Sequence, residues 1–309
     1  MSDWDVVGTD VSYWQGEIDW SVMSQKAQFS IIRAGIGNNV FDSSLSYNRT
    51  EAAAHGVEYG LYWYMKPDKD WRKHAESFSI QYNQDGGKLP PVADVESNGG
   101  LSKAELDSWL QKFVNKFEDE TGKELMIYTS PGFWNSNMPM TNWAKWRKLW
   151  VAHWTTAELP ILPDDWTLIN NPRTWEFWQH TAKGVGREYG ASSTCIDLNR
   201  YHYGVAEFNA EYGTDIALLP GSPPPIPDPE PEPEPEPIPE TYRLQMEVVQ
   251  EGLRVRSGPG TEFSIIGSLP AGQIVPVLNV GGKSSWVEIA PGQWSNVEYY
   301  GDENMVVNK

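Results

Sequence analysis

A single cysteine, Cys195, stands in a chain of 309 residues, so neither an intramolecular disulfide nor a multi-cysteine zinc or iron–sulfur site can form. Basic residues are also scarce: Lys+Arg number 24 against 42 Asp+Glu, a formal net charge of −18 at pH 7. A nucleic-acid reader that neutralises phosphates needs a basic face, and that class is excluded. The histidines, at 55, 74, 153, 180 and 202, form no HExxH and no helical i, i+4 pair, so neither metal nor cofactor is expected and each is read as a surface or packing residue. Nowhere do about 18 apolar residues run together, so no membrane-spanning helix is expected. The start, MSDWDVVGTD, has neither a basic nor an apolar leader region, and no export signal is expected there.

Proline and tryptophan are abundant, and both are unevenly placed. Residues 223–240, PPPIPDPEPEPEPEPIPE, hold ten of the 23 prolines, six acids and no base. Alternating Pro and Glu favours polyproline II, stiffened by repulsion among the acids. At ~3.1 Å per residue such a tether spans roughly 55 Å. The expected organisation is therefore a domain at 1–219, a linker at 220–240 and a second domain at 241–309. Net charge divides as −10 for residues 1–222, −6 for 223–240 and −2 for 241–309, so neither domain is a polybasic binder. Of the 16 tryptophans, all but Trp286 and Trp294 precede the linker. An indole pairs a flat apolar face with one N–H donor, which suits a groove for amphipathic ligands such as sugars as well as a core.

Before the linker, short apolar runs alternate with helical patterns. The strand candidates are Val6–Val11, Phe29–Ala34, Val57–Tyr64, Pro91–Val95, Leu125–Thr129, Leu149–Trp154, Trp175–Gln179 and Cys195–Leu198. The clearest helices are Ser43–His55, Trp71–Gln84 and Ser102–Thr121, the last opened by Ser102 with Glu105 three residues on as a capping box. About eight strands with helical crossovers fit an α/β fold, an irregular TIM-like β/α barrel, better than an open sheet.

In such a barrel the polar residues to inspect are those ending apolar runs. Asp10 closes VVGTD, Asp94 and Glu96 close PPVADVE, and Asp197 closes CID. Residues i and i+2 of a strand share a face about 6.5–7 Å apart, so Asp94 and Glu96 project together into the barrel mouth. Two crowded carboxyls do not both ionise easily, which leaves a protonated acid beside an ionised partner, the pairing that glycosidic cleavage uses. Any one of these acids alone is better explained as a helix N-cap. Their convergence from the first, middle and last strands is what favours a site, and closure would set Asp10 beside Asp197.

The blocks GTDVSYWQGEIDW (8–20), IIRAGIGN (31–38), YGLYWYMKP (59–67), PPVADVE (90–96), IYTSPGFW (127–134), LWVAHW (149–154) and FWQHTAKG followed by CIDLNRYHYG resemble, in order, those of glycoside hydrolase family 25. The resemblance spans residues 5–209 and implies an N-acetylmuramidase cleaving the β-1,4 bond between N-acetylmuramic acid and N-acetylglucosamine of peptidoglycan. It implies Glu96 as general acid, Asp94 as the residue orienting or charge-stabilising the substrate N-acetyl group for neighbouring-group attack, and Asp10 and Asp197 as an acidic floor holding the sugar and tuning Glu96; the motif leaves open a covalent glycosyl bond to one Asp instead. It further places Tyr62, Tyr64, Tyr128, Trp154 and Gln179 around the sugar cleft, with Tyr64 and Gln179 equally open to core filling. Trp14 and Trp20 are read as packing or as fixing their loop, and Arg33 as the partner of a floor acid.

Other readings are weaker on the residues. A cysteine peptidase would need Cys195, which lies in an apolar strand pattern and is read as a buried, inert thiol. A chitinase shares Asp-x-Glu but has further aspartates where this chain has Val92 and Leu89. A non-catalytic wall-binding barrel would not need Asp10, Asp94, Glu96 and Asp197 together. Residues 241–309, with LRVRSGPGTEFSIIGSLPAGQIVPVL and SWVEI, read as a small all-β barrel and resemble bacterial SH3-like domains appended to wall hydrolases. That resemblance implies binding of wall peptide, with Arg254, Trp286 and Tyr299 as candidate contacts. A modular wall hydrolase without an export signal resembles a bacteriophage endolysin, expected to be made in the host cytoplasm and to reach the wall after release.

Overall fold

The computed structural model describes residues 4–141, 143–167, 175–220, 245–248, 252–258, 263–276, 279–281, 286–290, 293–296, 298–299, 302–303 and 305–307. The chain forms two compact units, Met1–Pro225 and Ile226–Lys309. The dividing point falls inside the segment read as a linker, of which residues 221–240 lie outside the described ones.

Each of the eight strand candidates forms a strand. They are β1 (Val7–Val11), β2 (Phe29–Ile36), β4 (Glu58–Tyr64), β5 (Val92–Asp94), β6 (Met126–Thr129), β7 (Leu149–Ala152), β8 (Phe177–Val185) and β9 (Cys195–Tyr201), with the short β3 (Val40–Phe41) attached to β2. Pairing runs β1-β9-β8-β7-β6-β5-β4-β2 and closes through β1–β2, so the sheet is a barrel. The pairs from β1–β2 round to β7–β8 are parallel, whereas β9 is antiparallel to both neighbours. This last point departs from a barrel built by helical crossovers alone. A hairpin joins β8 to β9, so β9 runs down from the mouth rather than up to it.

Alternation of side chains on each strand sorts the residues into two cores. Phe29, Ile31, Val92, Met126, Trp150, Phe177 and Tyr201 fill the barrel, whereas Ile32, Leu61, Trp63, Ala93, Ile127, Val151 and Trp178 face outward to the helices. Gly8 marks the tightest interior point: a Cβ there would stand 2.6 Å from the Phe29 ring. The helices are α1 (Trp20–Met23), α2 (Leu45–Ala54), α3 (Trp71–Asp85), α4 (Lys103–Thr121), α5 (Pro131–Asn137), α6 (Asp164–Thr167) and α7 (Val205–Tyr212). The α4 helix begins with the expected capping box between Ser102 and Glu105. Its buried stripe, Leu106, Leu110, Phe113 and Phe117, recurs every three to four residues and meets α3, where Phe117 stacks on Phe78 at 4.6 Å. Phe208 of α7 packs on Phe29 and Tyr201 and plugs the end of the barrel opposite the mouth.

The second unit is all β in its described residues. Its larger sheet contains Leu253–Arg256, Ile265–Leu269, Asn279–Gly281, Trp286–Ala290 and Gln293–Asn296, over a core of Val248, Leu253, Val255, Leu269, Val275, Val287 and Ile289. Of the expected contacts, Arg254 is exposed but Trp286 is buried to 8%, which suits packing rather than ligand contact; the side chain of Tyr299 lies outside the described residues.

Candidate active site

Register brings the acids together. The β1–β9 pairing sets Asp10 directly opposite Asp197, and β5 ends at Asp94, flanked by Tyr64 of β4 and Tyr128 of β6. Asp197 is the third of seven residues in β9, not a strand terminus; it reaches the mouth because β9 enters the barrel there. Asp94 is 5% and Asp10 7% exposed, whereas Glu96, just beyond β5, stands at the open rim.

One hydrogen-bonded chain supports this floor. The Gln179 amide donates to Asp10 Oδ2 at 2.9 Å, and the Asn199 amide donates to the same oxygen at 2.8 Å. Gln179 Oε1 in turn accepts from the Tyr128 hydroxyl at 3.0 Å and from the Trp154 indole at 2.9 Å. Asn199 Oδ1 accepts from Trp150 Nε1 at 2.8 Å. Asn199 and Trp150 were not among the sequence candidates. Asn199 lies two residues beyond Asp197, so the i, i+2 rule that paired Asp94 with Glu96 would also have found it.

Burial and mutual repulsion set the protonation states. Burial raises Asp10 to about 6 against the two amide donors, which pull the other way. Asp197 is raised to about 8, by burial first and then by the charges of Asp10 and Glu96. Asp94 lies well above the ordinary carboxylate range through burial, then Glu96 and Asp10, with Arg33 and Lys66 opposing. Glu96 is raised by desolvation and by Asp10, against Lys66. Near neutral pH, Asp10 therefore carries the charge and Asp197 holds its proton, while Asp94 and Glu96 are both shifted toward the protonated form. Asp94 Oδ1 is buried with no hydrogen-bond partner among the described residues, a free position on a group that burial makes costly to leave unpaired.

The aromatic candidates take different places. Tyr62 and Tyr128 are 9% and 7% exposed and pack on Trp150 inside the barrel, Tyr128 at 4.3 Å between ring centroids. Tyr64 is half-buried beside Glu96 and Asp94, with its phenol pushed up to about 12, mainly by burial. Trp154 is 63% exposed at the rim, and Gln179 is 3% exposed beneath it.

Three expectations are corrected. Arg33 pairs at 2.7 Å with Asp42, which follows β3, and not with a floor acid. Trp14 is 68% exposed, lying on Tyr13 with ring centroids 4.6 Å apart; only Trp20 is buried as expected. Cys195 is exposed, because the β8–β9 hairpin extends beyond the barrel and its first residue meets solvent. The histidines fit the reading as surface or packing residues where described: His74 is edge-on to Trp109 at 5.0 Å, and His180 lies against Trp178 at 5.8 Å and lines a cavity described below.

Comparison with known proteins fits this geometry. Residues 9–189 match glycosyl hydrolases family 25, and residues 251–303 match the bacterial SH3 domain. The chain is 32% identical over 217 residues to lysozyme M1 of Streptomyces globisporus, covering 66% of this chain and 70% of that protein. It is 30% identical over 145 residues to the N,O-diacetylmuramidase of Chalaropsis sp., 42% of this chain and 69% of that one. The crystal structure of a bacterial lysozyme from Streptomyces coelicolor superposes with a TM-score of 0.58 at 31% identity, over 67% of this chain and 96% of that one. The chain belongs to glycosyl hydrolases family 25 and carries a bacterial SH3 domain at its C-terminal side.

Proposed function

We propose that the barrel hydrolyses the β-1,4 bond between N-acetylmuramic acid and N-acetylglucosamine in peptidoglycan, as an N-acetylmuramidase. The observation that carries this reading is Asp94 and Glu96 at the end of β5, facing the Asp10–Asp197 pair across one mouth. Glu96, protonated and open to the rim, donates to the leaving oxygen. Asp94 Oδ1 accepts the acetamido N–H and orients that group so that its carbonyl oxygen attacks the anomeric carbon as the glycosidic bond breaks. Glu96, now ionised, takes a proton from the water that opens the ring so formed, which gives net retention. Asp10, charged and clamped by Gln179 and Asn199, stabilises the positive charge that develops on the sugar. Tyr62, Tyr64, Tyr128 and Trp154 frame the sugar. The SH3 domain holds wall peptide and raises the local substrate concentration. Action follows release from the cell that makes the protein.

Purified protein is expected to release reducing ends, and no free amino groups, from cell walls. Glu96→Gln is expected to bind walls and lose at least about a hundredfold in rate. New amino groups, or an active Glu96→Gln, would overturn the assignment.

A further inference from the structure

Antiparallel closure has a second result on the outside of the barrel. The connection from β8 to β9 carries only the one-turn 3-10 helix Gly186–Tyr189, so it supplies no α-helix to cover the outer face of these strands. A cavity of about 1260 Å³ lies there, lined among others by Trp4, Tyr189, His180 and Arg200, and reaching Trp154. Among the described residues its charged side chains are Lys26, Lys183 and Arg200 against Glu158, the reverse of a chain with net charge −18.

Arg200 is the informative residue. Some partly buried cations of the barrel unit meet carboxylates, as Arg33 meets Asp42, Arg147 meets Glu118, and Lys148 meets Glu176 and Glu211, whereas Lys66 and Lys145 rest on the rings of Tyr64 and Trp146. Arg200 has no ion pair among the described residues; its guanidinium lies 5.5 Å from the Trp4 ring centre and 5.0 Å from that of Trp178. A half-dehydrated guanidinium held between indoles, in a chain rich in acids, is a receptor for an external anion. Trp154 lines the cavity and also donates to Gln179 in the hydrogen-bonded chain under Asp10, so the cavity reaches the rim of the catalytic mouth.

We propose that this groove binds the carboxylate-bearing stem peptide attached to the muramic acid residue at the cleavage point, with Arg200 and Lys183 pairing its carboxylates. The proposal rests on the muramidase reading above. A peptide tethered to the bound sugar leaves the mouth beside Trp154, and the groove offers it cations, indole faces and the hydroxyls of Thr155 and Thr181. An acidic floor repels an anionic peptide, and a basic groove offsets that repulsion where the peptide departs.

The test compares kcat and KM on wall glycan carrying its peptides and on glycan strands stripped of them by an amidase. Arg200→Gln and Lys183→Gln are each expected to raise KM on the peptide-bearing substrate about tenfold. The same variants should leave stripped strands cleaved as by the unmodified protein, and Arg200→Lys should recover part of the loss. Equal loss on both substrates overturns the proposal, since stripped strands keep any anionic wall polymer but no peptide; unchanged KM on both also overturns it. Lys183 is exposed, so Lys183→Gln decides the matter if thermal melting shows Arg200→Gln to be unfolded. Failure of the unmodified protein to release reducing ends from either substrate overturns the muramidase reading and this one together.

Discussion

Asp10 is the smallest unit on which the chemistry turns. Burial and two amide donors oppose each other on one carboxylate, and the balance leaves it titrating at about 6, below Asp197 at about 8. Its charge is among the causes that hold Glu96, Asp94 and Asp197 above their ordinary range. Asp10→Asn removes that charge while keeping an oxygen for the Gln179 and Asn199 donors. Glu96 should then lose its proton at lower pH, and the alkaline limb of the kcat/KM profile should move toward acid. An alkaline limb that stays in place would show that burial alone tunes Glu96.

At the scale of elements, the decisive contact is the antiparallel β1–β9 pair, which forces Asp10 and Asp197 to face each other. Both titrate higher in the folded chain than in the unfolded one, where an aspartate sits near ~3.9. Protons therefore leave the unfolded state first as pH rises. The stability these groups contribute is full below about pH 4 and is lost as pH climbs through about 6 and about 8. The melting temperature of the barrel is expected to fall between pH 5 and pH 8.5, and Asp197→Asn should flatten that slope. An identical slope in the variant would mean that Asp197 is not crowded as the register implies.

Among the described residues the barrel unit buries two apolar clusters of its own, inside and outside the strands, and the SH3 domain buries a third. Deleting residues 223–309 is therefore expected to leave cleavage of small soluble wall fragments near its full rate while weakening sedimentation with intact walls. Loss of soluble-fragment activity from a deletion that melts normally would give the second domain a direct part in catalysis.

The sequence by itself determined every barrel strand, because each is a short β-branched or aromatic run bounded by turn residues, and it determined α4, because Ser102 and Glu105 announce its start. It also singled out Asp94 and Glu96, since a strand's period of two is local. Barrel closure already set Asp10 beside Asp197, but only the tertiary structure decided which way β9 runs, and with it the clamp from Asn199 and the bare outer face above Arg200. Strand direction depends on pairing between residues nearly 190 apart along the chain, as between Asp10 and Asp197. The same limit explains Cys195 and Arg33. An apolar pattern fixes which residues alternate, but exposure depends on how far a hairpin extends past the barrel, and Asp42 becomes the partner of Arg33 through the fold-back of β3 onto β2.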